Sequence, residues 1–288
     1  MNERDKIPHD RKDIVRVGCL EHIYPDQTEV KICGLEFIVR EGEKVAVLGP
    51  NGSGKTTLLN HIMGLLRPVS GEISVFGVDP SKEFDQIRRN FGVVFQNVDA
   101  QLIAPTVWDD VTFSPRNYGY SPAEVERLGN EILTRIGILD LKSKITHYLS
   151  GGEKKKVALA GAMITHAKLL VLDEPFEGLD PRSRDDIVGL LNEFNRDYGT
   201  AIVFTTHDVN LVPRIADRVY VMAQGNITLS GKPKDIFEQV DYLKSINLEP
   251  PLIAEMVMEL KRQGIEIAFT NDIGGLVSNI LELIGRAA

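Results

Sequence analysis

Hydrophobic and polar positions fall in blocks whose period changes along the chain. Val45–Leu48, Gly92–Phe95, Leu169–Leu172 and Ala201–Thr205 are short, continuous apolar runs. Runs of this length predict central strands covered on both faces, as in a parallel sheet. Ile14–Leu20 and Val30–Val39 predict two more strands, and Arg218–Met222 with Ile227–Ser230 predict a hairpin around Ala223-Gln224-Gly225-Asn226. Thr57–Leu66 reads as helix. Around residues 97–165 the helical period dominates: Ser121-Pro122-Ala123-Glu124 is a capping box with proline at the first helical position, followed by Val125, Leu128, Ile132 and Ile136 on one face. Beyond about residue 235 two more stripes appear, Ile253, Met256, Val257 and Leu260, then Ile273, Leu276, Val277, Ile280 and Ile284. The pattern divides the chain into a disordered tail (1–12), an α/β domain (13–240) with a helical subdomain inserted at about 97–165, and a small C-terminal domain (241–288) joined near Pro250-Pro251.

Composition narrows the class. The chain has 288 residues, 43% hydrophobic and 26% charged, enough for a large globular core. A net charge of −8 argues against nucleic acid as the main partner, because phosphate backbones call for basic faces. Met1 to Asp13 lacks the apolar stretch of a signal peptide, and no apolar run reaches the roughly 18 residues of a membrane span. The expectation is a cytosolic protein whose membrane role, if any, runs through a partner. Cys19 and Cys33 have no metal-ligand spacing and are expected to be buried thiols in strands rather than a disulfide.

The chemistry lies in two short strings. Gly49-Pro50-Asn51-Gly52-Ser53-Gly54-Lys55-Thr56-Thr57 fits G-x-x-x-x-G-K-[ST] between an expected strand and an expected helix. Glycines let backbone N–H groups turn around phosphate oxygens, and the helix brings its positive end to the same anion. Lys55 is expected to reach the β- and γ-phosphates and Thr56 to bind Mg²⁺. Asp173 and Glu174 end the apolar run Leu169–Leu172, where carboxylates can face a nucleotide crevice. Asp173 is expected to hold Mg²⁺ and Glu174 to act as general base toward water. The second string is Leu149-Ser150-Gly151-Gly152-Glu153, at the start of an expected helix. Taken alone it is a serine N-cap; with open glycine amides it is also an anion site.

Together these strings resemble the ATP-binding-cassette (ABC) family, and the resemblance runs from about residue 14 to residue 235. It implies an α/β P-loop NTPase cassette with an antiparallel β subdomain, an inserted helical subdomain and a small C-terminal domain. It implies that Tyr24 stacks on adenine and that Gln96 touches Mg²⁺ and water and relays to a membrane partner. In the same way Asp180, in Gly178-Leu179-Asp180, crosses a dimer interface, and His207 contacts the γ-phosphate. ATP would lie between the phosphate loop of one subunit and Ser150, Gly151, Gly152 and Glu153 of another, in a homodimer or a heterodimer with a related subunit. ATP and Mg²⁺ are the implied cofactors, and integral membrane transporter subunits are the implied partners at the cytoplasmic face of the membrane. Two positions depart from the family pattern: Glu153 replaces the usual glutamine, and Glu177 replaces a small residue.

Gln96 to Leu102 and Ala104 to Val107 resemble the energy-coupling-factor importers, and His207 to Pro213 resembles their cobalt and nickel branch. Cobalt comes first as implied cargo, nickel second, with vitamins carried by related importers. In that group the C-terminal domain adds dimer contacts. The competing reading is a soluble, non-transport cassette ATPase of translation or DNA repair. A P-loop kinase is a further rival, but it would need neither the Ser-Gly-Gly segment nor His207.

Overall fold

A computed structural model describes residues 11–270 and 272–287. The strands are β1 (Asp13–Val17), β2 (Leu20–Ile23), β3 (Glu29–Gly34), β4 (Phe37–Arg40), β5 (Lys44–Leu48), β6 (Ile73–Val75), β7 (Phe91–Val94), β8 (Leu169–Leu172), β9 (Ala201–Thr205), β10 (Arg218–Ala223) and β11 (Asn226–Gly231). The larger sheet has the order β2-β3-β11-β10-β5-β9-β8-β7 and is parallel from β10 through β7. A smaller antiparallel sheet, β4-β1-β6, packs beside it.

The continuous apolar runs are explained by two cores, one on each face of the large sheet. Ala46, Leu48, Leu170, Leu172, Ile202 and Phe204 enter one core, while Val45, Val47, Leu169, Val171, Ala201 and Val203 enter the other. Successive side chains of a strand point to opposite faces, so a strand covered on both must be apolar throughout. The β10–β11 hairpin turns through Gln224 and Gly225, both at positive φ (49° and 76°), the conformation that suits the twist of a two-residue hairpin.

The two N-terminal runs differ from the expectation, because each is broken into two strands. The first breaks at Gly18-Cys19 and the second after Gly34. Gly34 has φ +90°, and a Cβ there would run into the carbonyl oxygen of Ile227. The chain bends at this point out of the large sheet (β3) into the small one (β4). The cysteine expectation is also corrected. Cys19 lies exposed in the bend between β1 and β2, Cys33 is half-buried in β3, and the two are joined as a disulfide with Cα atoms 4.2 Å apart. The β2–β3 register pairs Leu20 with Ile32, and one step further it places Cys19 opposite Cys33. The sequence separation of the two cysteines gives no hint of that register.

Six helices matter for the site: α1 (Lys55–Ile62), α2 (Pro122–Ile136), α3 (Gly151–Met163), α4 (Pro181–Tyr198), α5 (Leu252–Arg262) and α6 (Ile273–Ala287). Between β7 and β8 the chain is built of helices and turns, and α2 starts with the expected Ser121–Glu124 capping box. The C-terminal helices pack differently from the expected stripes. Ala254, Val257 and Leu276 are buried, whereas Met256, Ile273, Val277 and Ile284 are exposed. Ala254 joins Leu243 and Leu248 in the same core that lines the helical face of the large sheet. The apolar faces of α5 and α6 are therefore only partly used within the chain.

Candidate functional site

The C-terminal ends of the parallel strands carry the chemistry. β5 runs into the glycine loop, β8 into Asp173-Glu174, β9 into Thr205-Thr206-His207 and β7 into Gln96. Because β5 is flanked by β9, and β9 by β8, the loop and both acids converge at one edge of the sheet.

The loop's form follows from its glycines. A Cβ on Gly49 would collide with the carbonyl oxygen of Met222, so only glycine lets the loop lie against β10. Gly54, at φ +100°, caps α1 in the left-handed region and offers no side chain to its first turn. The N–H groups of that turn stay open to an anion. Lys55 Nζ donates to the carbonyl oxygens of Gly49 (2.8 Å) and Pro50 (3.0 Å). Burial lowers the proton affinity of this lysine, while the nearby charges of Glu174 and Asp173 pull the other way.

A continuous hydrogen-bond chain links the loop to the acids. Thr56 Oγ1 donates to Asp173 Oδ2 (3.2 Å), and Thr205 Oγ1 donates to Asp173 Oδ1 (2.7 Å). Thr205 Oγ1 accepts the N–H of Glu174 (2.9 Å), and Glu174 Oε2 accepts the N–H of His207 (3.0 Å). His207 Nε2 lies 3.1 Å from Glu174 Oε1 but off the line of a hydrogen bond, so Oε1 is a buried oxygen without a donor among the described residues. Burial raises the proton affinity of Glu174; His207 and Lys55 oppose that rise and Asp173 adds to it. A carboxylate with one unengaged oxygen and a raised pKa is equipped to take a proton from water. Glu174 also sits at φ +47°, a conformation that persists in a residue with Cβ only when its surroundings hold it. Thr205 was not expected from the sequence. Its signal is a hydroxyl closing an apolar strand, facing the two acids that close the neighbouring strand.

The remaining expected residues fall into separate groups. Tyr24 reaches the loop side on, its hydroxyl 2.8 Å from Thr57 Oγ1. Gln96 bonds neither Thr56 nor Asp173; its Nε2 donates to Glu177 Oε2 (2.8 Å). Ser150, Gly151, Gly152 and Glu153 open α3. Ser150 Oγ accepts the N–H of Glu153, and Glu153 Oε2 accepts the N–H of Ser150 at 2.6 Å. Lys144 Nζ donates to both Glu153 oxygens (3.1 and 3.3 Å). The Ser150 N–H first, then Lys144, hold the Glu153 carboxyl below the usual glutamate range. Asp180 caps α4, its Oδ1 accepting from the N–H groups of Arg182 and Ser183 at 3.0 Å each. A Cβ on Gly152 would come within 2.8 Å of Ser183 Oγ, so the α3 start packs closely on the Asp180 turn. Among the described residues, Ser150–Glu153 and Asp180 form a second group with no hydrogen bond to the phosphate loop.

A cleft of about 660 Å³ opens beside the loop, between Gly49-Pro50-Asn51, His207 and the segment Asn247–Pro250. The Leu252 N–H donates to Asn210 Oδ1 (3.1 Å), fastening α5 to the turn after His207.

Comparison with known proteins gives consistent results. The family model described as ABC transporter matches residues 32–177. A model for an AAA domain (AbiEii toxin, Type IV toxin–antitoxin system) matches residues 145–212. The chain is 42% identical to the energy-coupling factor transporter ATP-binding protein EcfA of Methanocaldococcus jannaschii, covering 94% of this chain and 98% of that protein. It is 39% identical to the EcfA of Methanothermobacter thermautotrophicus, over 96% and 89% of the two chains. Among solved structures it resembles cbiO1 from Clostridium perfringens, part of the ABC transporter complex cbiONQ. That match has 38% identity and a TM-score of 0.73, covering 86% of this chain and all of that one.

Proposed function

The chain belongs to the ABC transporter ATPase family, whose ATP hydrolysis is coupled to transport, and we propose that it is the ATP-hydrolysing subunit of an energy-coupling-factor importer, acting as a dimer at the cytoplasmic face of a membrane. Among the described residues no helix is long and apolar enough to cross a membrane, so translocation falls to separate membrane subunits. The observation that carries the reading is the hydrogen-bonded chain Thr56–Asp173–Thr205–Glu174–His207 beside an open glycine loop.

In this reading the amides of Gly52 to Thr57 and the Lys55 ammonium hold the phosphates, with Gly49, Pro50, Asn51 and Ser53 shaping the loop. Lys55 exchanges two carbonyl acceptors for phosphate oxygens. Glu174 accepts the proton of the attacking water, and His207 stands beside it to meet the γ-phosphate. The oxygens fit Mg²⁺: octahedral ligands at about 2.1 Å stand about 3 Å apart, and Thr56 Oγ1 and Asp173 Oδ2 are 3.2 Å apart. Bound there with the phosphates, the ion would neutralise charge that builds on them. Ser150 and the amides of Gly151 and Gly152 serve the neighbouring subunit's nucleotide, with Asp180 beside them at the interface. Two facts support this division: the two groups of residues stay apart within one chain, and the α3 start is already capped with its glycine amides free for an outside anion. The unpartnered apolar faces of α5 and α6 support residues 241–288 as a dimer-facing appendage. A transition-metal cation, cobalt ahead of nickel, is the proposed cargo, on the likeness of His207–Pro213 to the cobalt and nickel branch of the energy-coupling-factor importers.

The test is Glu174→Gln in MgATP. ATP should bind without turnover and shift the protein to a dimer on a sizing column. A variant that remains monomeric at saturating ATP, or that still hydrolyses it, overturns the reading. Uptake of labelled cobalt by the assembled transporter, against nickel and vitamins as competitors, tests the cargo.

A further inference from the structure

Lys155 is a buried cation for which the proposed reaction has no use. It lies early in α3, is 6% exposed, and shares a narrow apolar crevice with Leu172, Pro175, Ile187 and Leu191. A methionine would fill that crevice without taking a charge out of water, which is unfavourable unless the charge is matched. The group it meets is the main-chain carbonyl oxygen of Glu174, to which Nζ donates at 2.9 Å. The charges of Glu177 and Glu174 lie near enough to oppose the effect of burial on the ammonium.

That carbonyl belongs to the residue held at φ +47°. Three contacts hold it there. Thr205 Oγ1 takes the Glu174 N–H, and the Glu174 carbonyl receives both the Glu177 N–H (3.3 Å) and the lysine. Only the lysine comes from α3, the helix whose first turn carries Ser150, Gly151 and Gly152.

We propose that Lys155 is a positioning residue of the ATPase: its ammonium fixes the backbone of Glu174, and so its carboxylate, and ties both to the helix that begins at Ser150. The inference rests on the reading of Glu174 as the base. Occupancy of the Ser150 end by a neighbour's nucleotide would then be felt at the carboxylate of this subunit's own site.

Lys155→Met in the full chain keeps the packing of the stem and removes the donor. The expected result is a kcat for MgATP lower by about 10- to 100-fold with KM within about twofold, as for loss of a group that orients a catalytic one. Its thermal midpoint should equal or exceed that of the wild type, because a buried charge is gone. Lys155→Arg, which keeps a charged donor, should regain most of the lost kcat. Two results overturn the proposal. One is a Lys155→Met kcat within about twofold of wild type. The other is a kcat loss that tracks a lowered thermal midpoint and is not regained with arginine. Glu174→Gln, assayed alongside, separates the failures. An active Lys155→Met beside an inactive Glu174→Gln removes the lysine's role alone, whereas an active Glu174→Gln removes the reading of the base and the lysine's role with it.

Discussion

Thr205 is fully buried, and one hydroxyl serves both acids: it donates to Asp173 at 2.7 Å and accepts from the Glu174 N–H at 2.9 Å. Thr205→Val keeps the shape and deletes both bonds. The lost bond to a charged carboxylate is worth about 1.5–3 kcal/mol, and a buried N–H left without an acceptor costs about 1–3 kcal/mol. A methyl in place of the hydroxyl returns about 1 kcal/mol through apolar burial. The net loss is about 1.5–5 kcal/mol, or roughly 3–8 °C in thermal midpoint at an unfolding entropy of about 2.1 cal/mol/K per residue. Glu174 also loses one of the contacts that hold its left-handed backbone, so kcat should fall by about 10- to 100-fold. Circular dichroism melts without nucleotide and steady-state ATPase assays measure the two effects. Thr205→Ser is the control. It keeps the hydroxyl and gives up a methyl, about 1 kcal/mol of stability, so its kcat should stay near wild type. The reasoning is refuted if serine, which keeps the hydroxyl, loses as much as valine, since the hydroxyl's two bonds would then not set the size of the loss. It is equally refuted if valine leaves both the midpoint and kcat unchanged.

Two further perturbations follow from the site. Burial raises the pKa of Glu174 in the folded state above its ordinary value of 4.5. Between the two values the folded chain binds more protons than the unfolded one, so this residue's contribution to stability falls as pH rises through that window. Glu174→Gln, without nucleotide, should therefore melt higher than wild type at neutral pH, with the gap closing toward acid; parallel curves from pH 5 to 8 would contradict the burial argument. The second concerns Glu177, which accepts from Gln96 at 2.8 Å. A Gln96 that swings from Glu177 toward Thr56 and Asp173 to bring its Oε1 to Mg²⁺ gives up that bond, whose net worth at an exposed position is about 0.5–1.5 kcal/mol. Glu177→Ala should lower the KM for MgATP by about two- to tenfold, whereas Glu177→Gln, which keeps an acceptor, should not. A raised KM in the alanine variant would rule out the restraint.

The parts of the fold that were legible in the sequence are those set by local rules. Apolar runs reveal β5, β8 and β9 because strands packed on both faces have no polar side, and Ser121–Glu124 reveals the start of α2 because a capping box is local chemistry. The breaks at Cys19 and Gly34 were not legible, since each depends on what lies across the sheet. Gly34 is needed because Ile227, far along the chain, presses on it, and Cys19 meets Cys33 only through the β2–β3 register. The stripes at the C-terminus reveal helices but not how far they are covered. Within the site, motif spacing locates Lys55, Asp173 and Glu174, and the family resemblance adds His207. Thr205 and Lys155 escape it because their partners, Asp173 and the Glu174 backbone, are brought to them by the fold and not by spacing along the chain.

The two departures from the family pattern now have a physical account. The family resemblance places Glu153 beside a neighbour's nucleotide, where an acid would oppose the phosphates. Its carboxylate is instead spent on the Ser150 N–H and the Lys144 ammonium. An acid in the first turn of a helix is favoured by the helix dipole, and pairing with lysine removes most of its field beyond that turn. Glutamine could make the Ser150 bond but would leave Lys144 without its charge partner, so here the acid and the lysine form one unit. Glu177 is likewise paired, with Gln96 on one side and the field of Lys155 on the other. Each departure thus has a partner inside the same chain, a cation for Glu153 and the Gln96 amide for Glu177. Their placement differs in consequence. Glu153 stiffens the segment that the proposed dimer would bring to its neighbour. Glu177 connects the residue expected to relay to the membrane partner, Gln96, with the turn that begins at Glu174. Glu177 thus stands between Gln96, to which it is hydrogen-bonded, and the buried ammonium that donates to the Glu174 carbonyl.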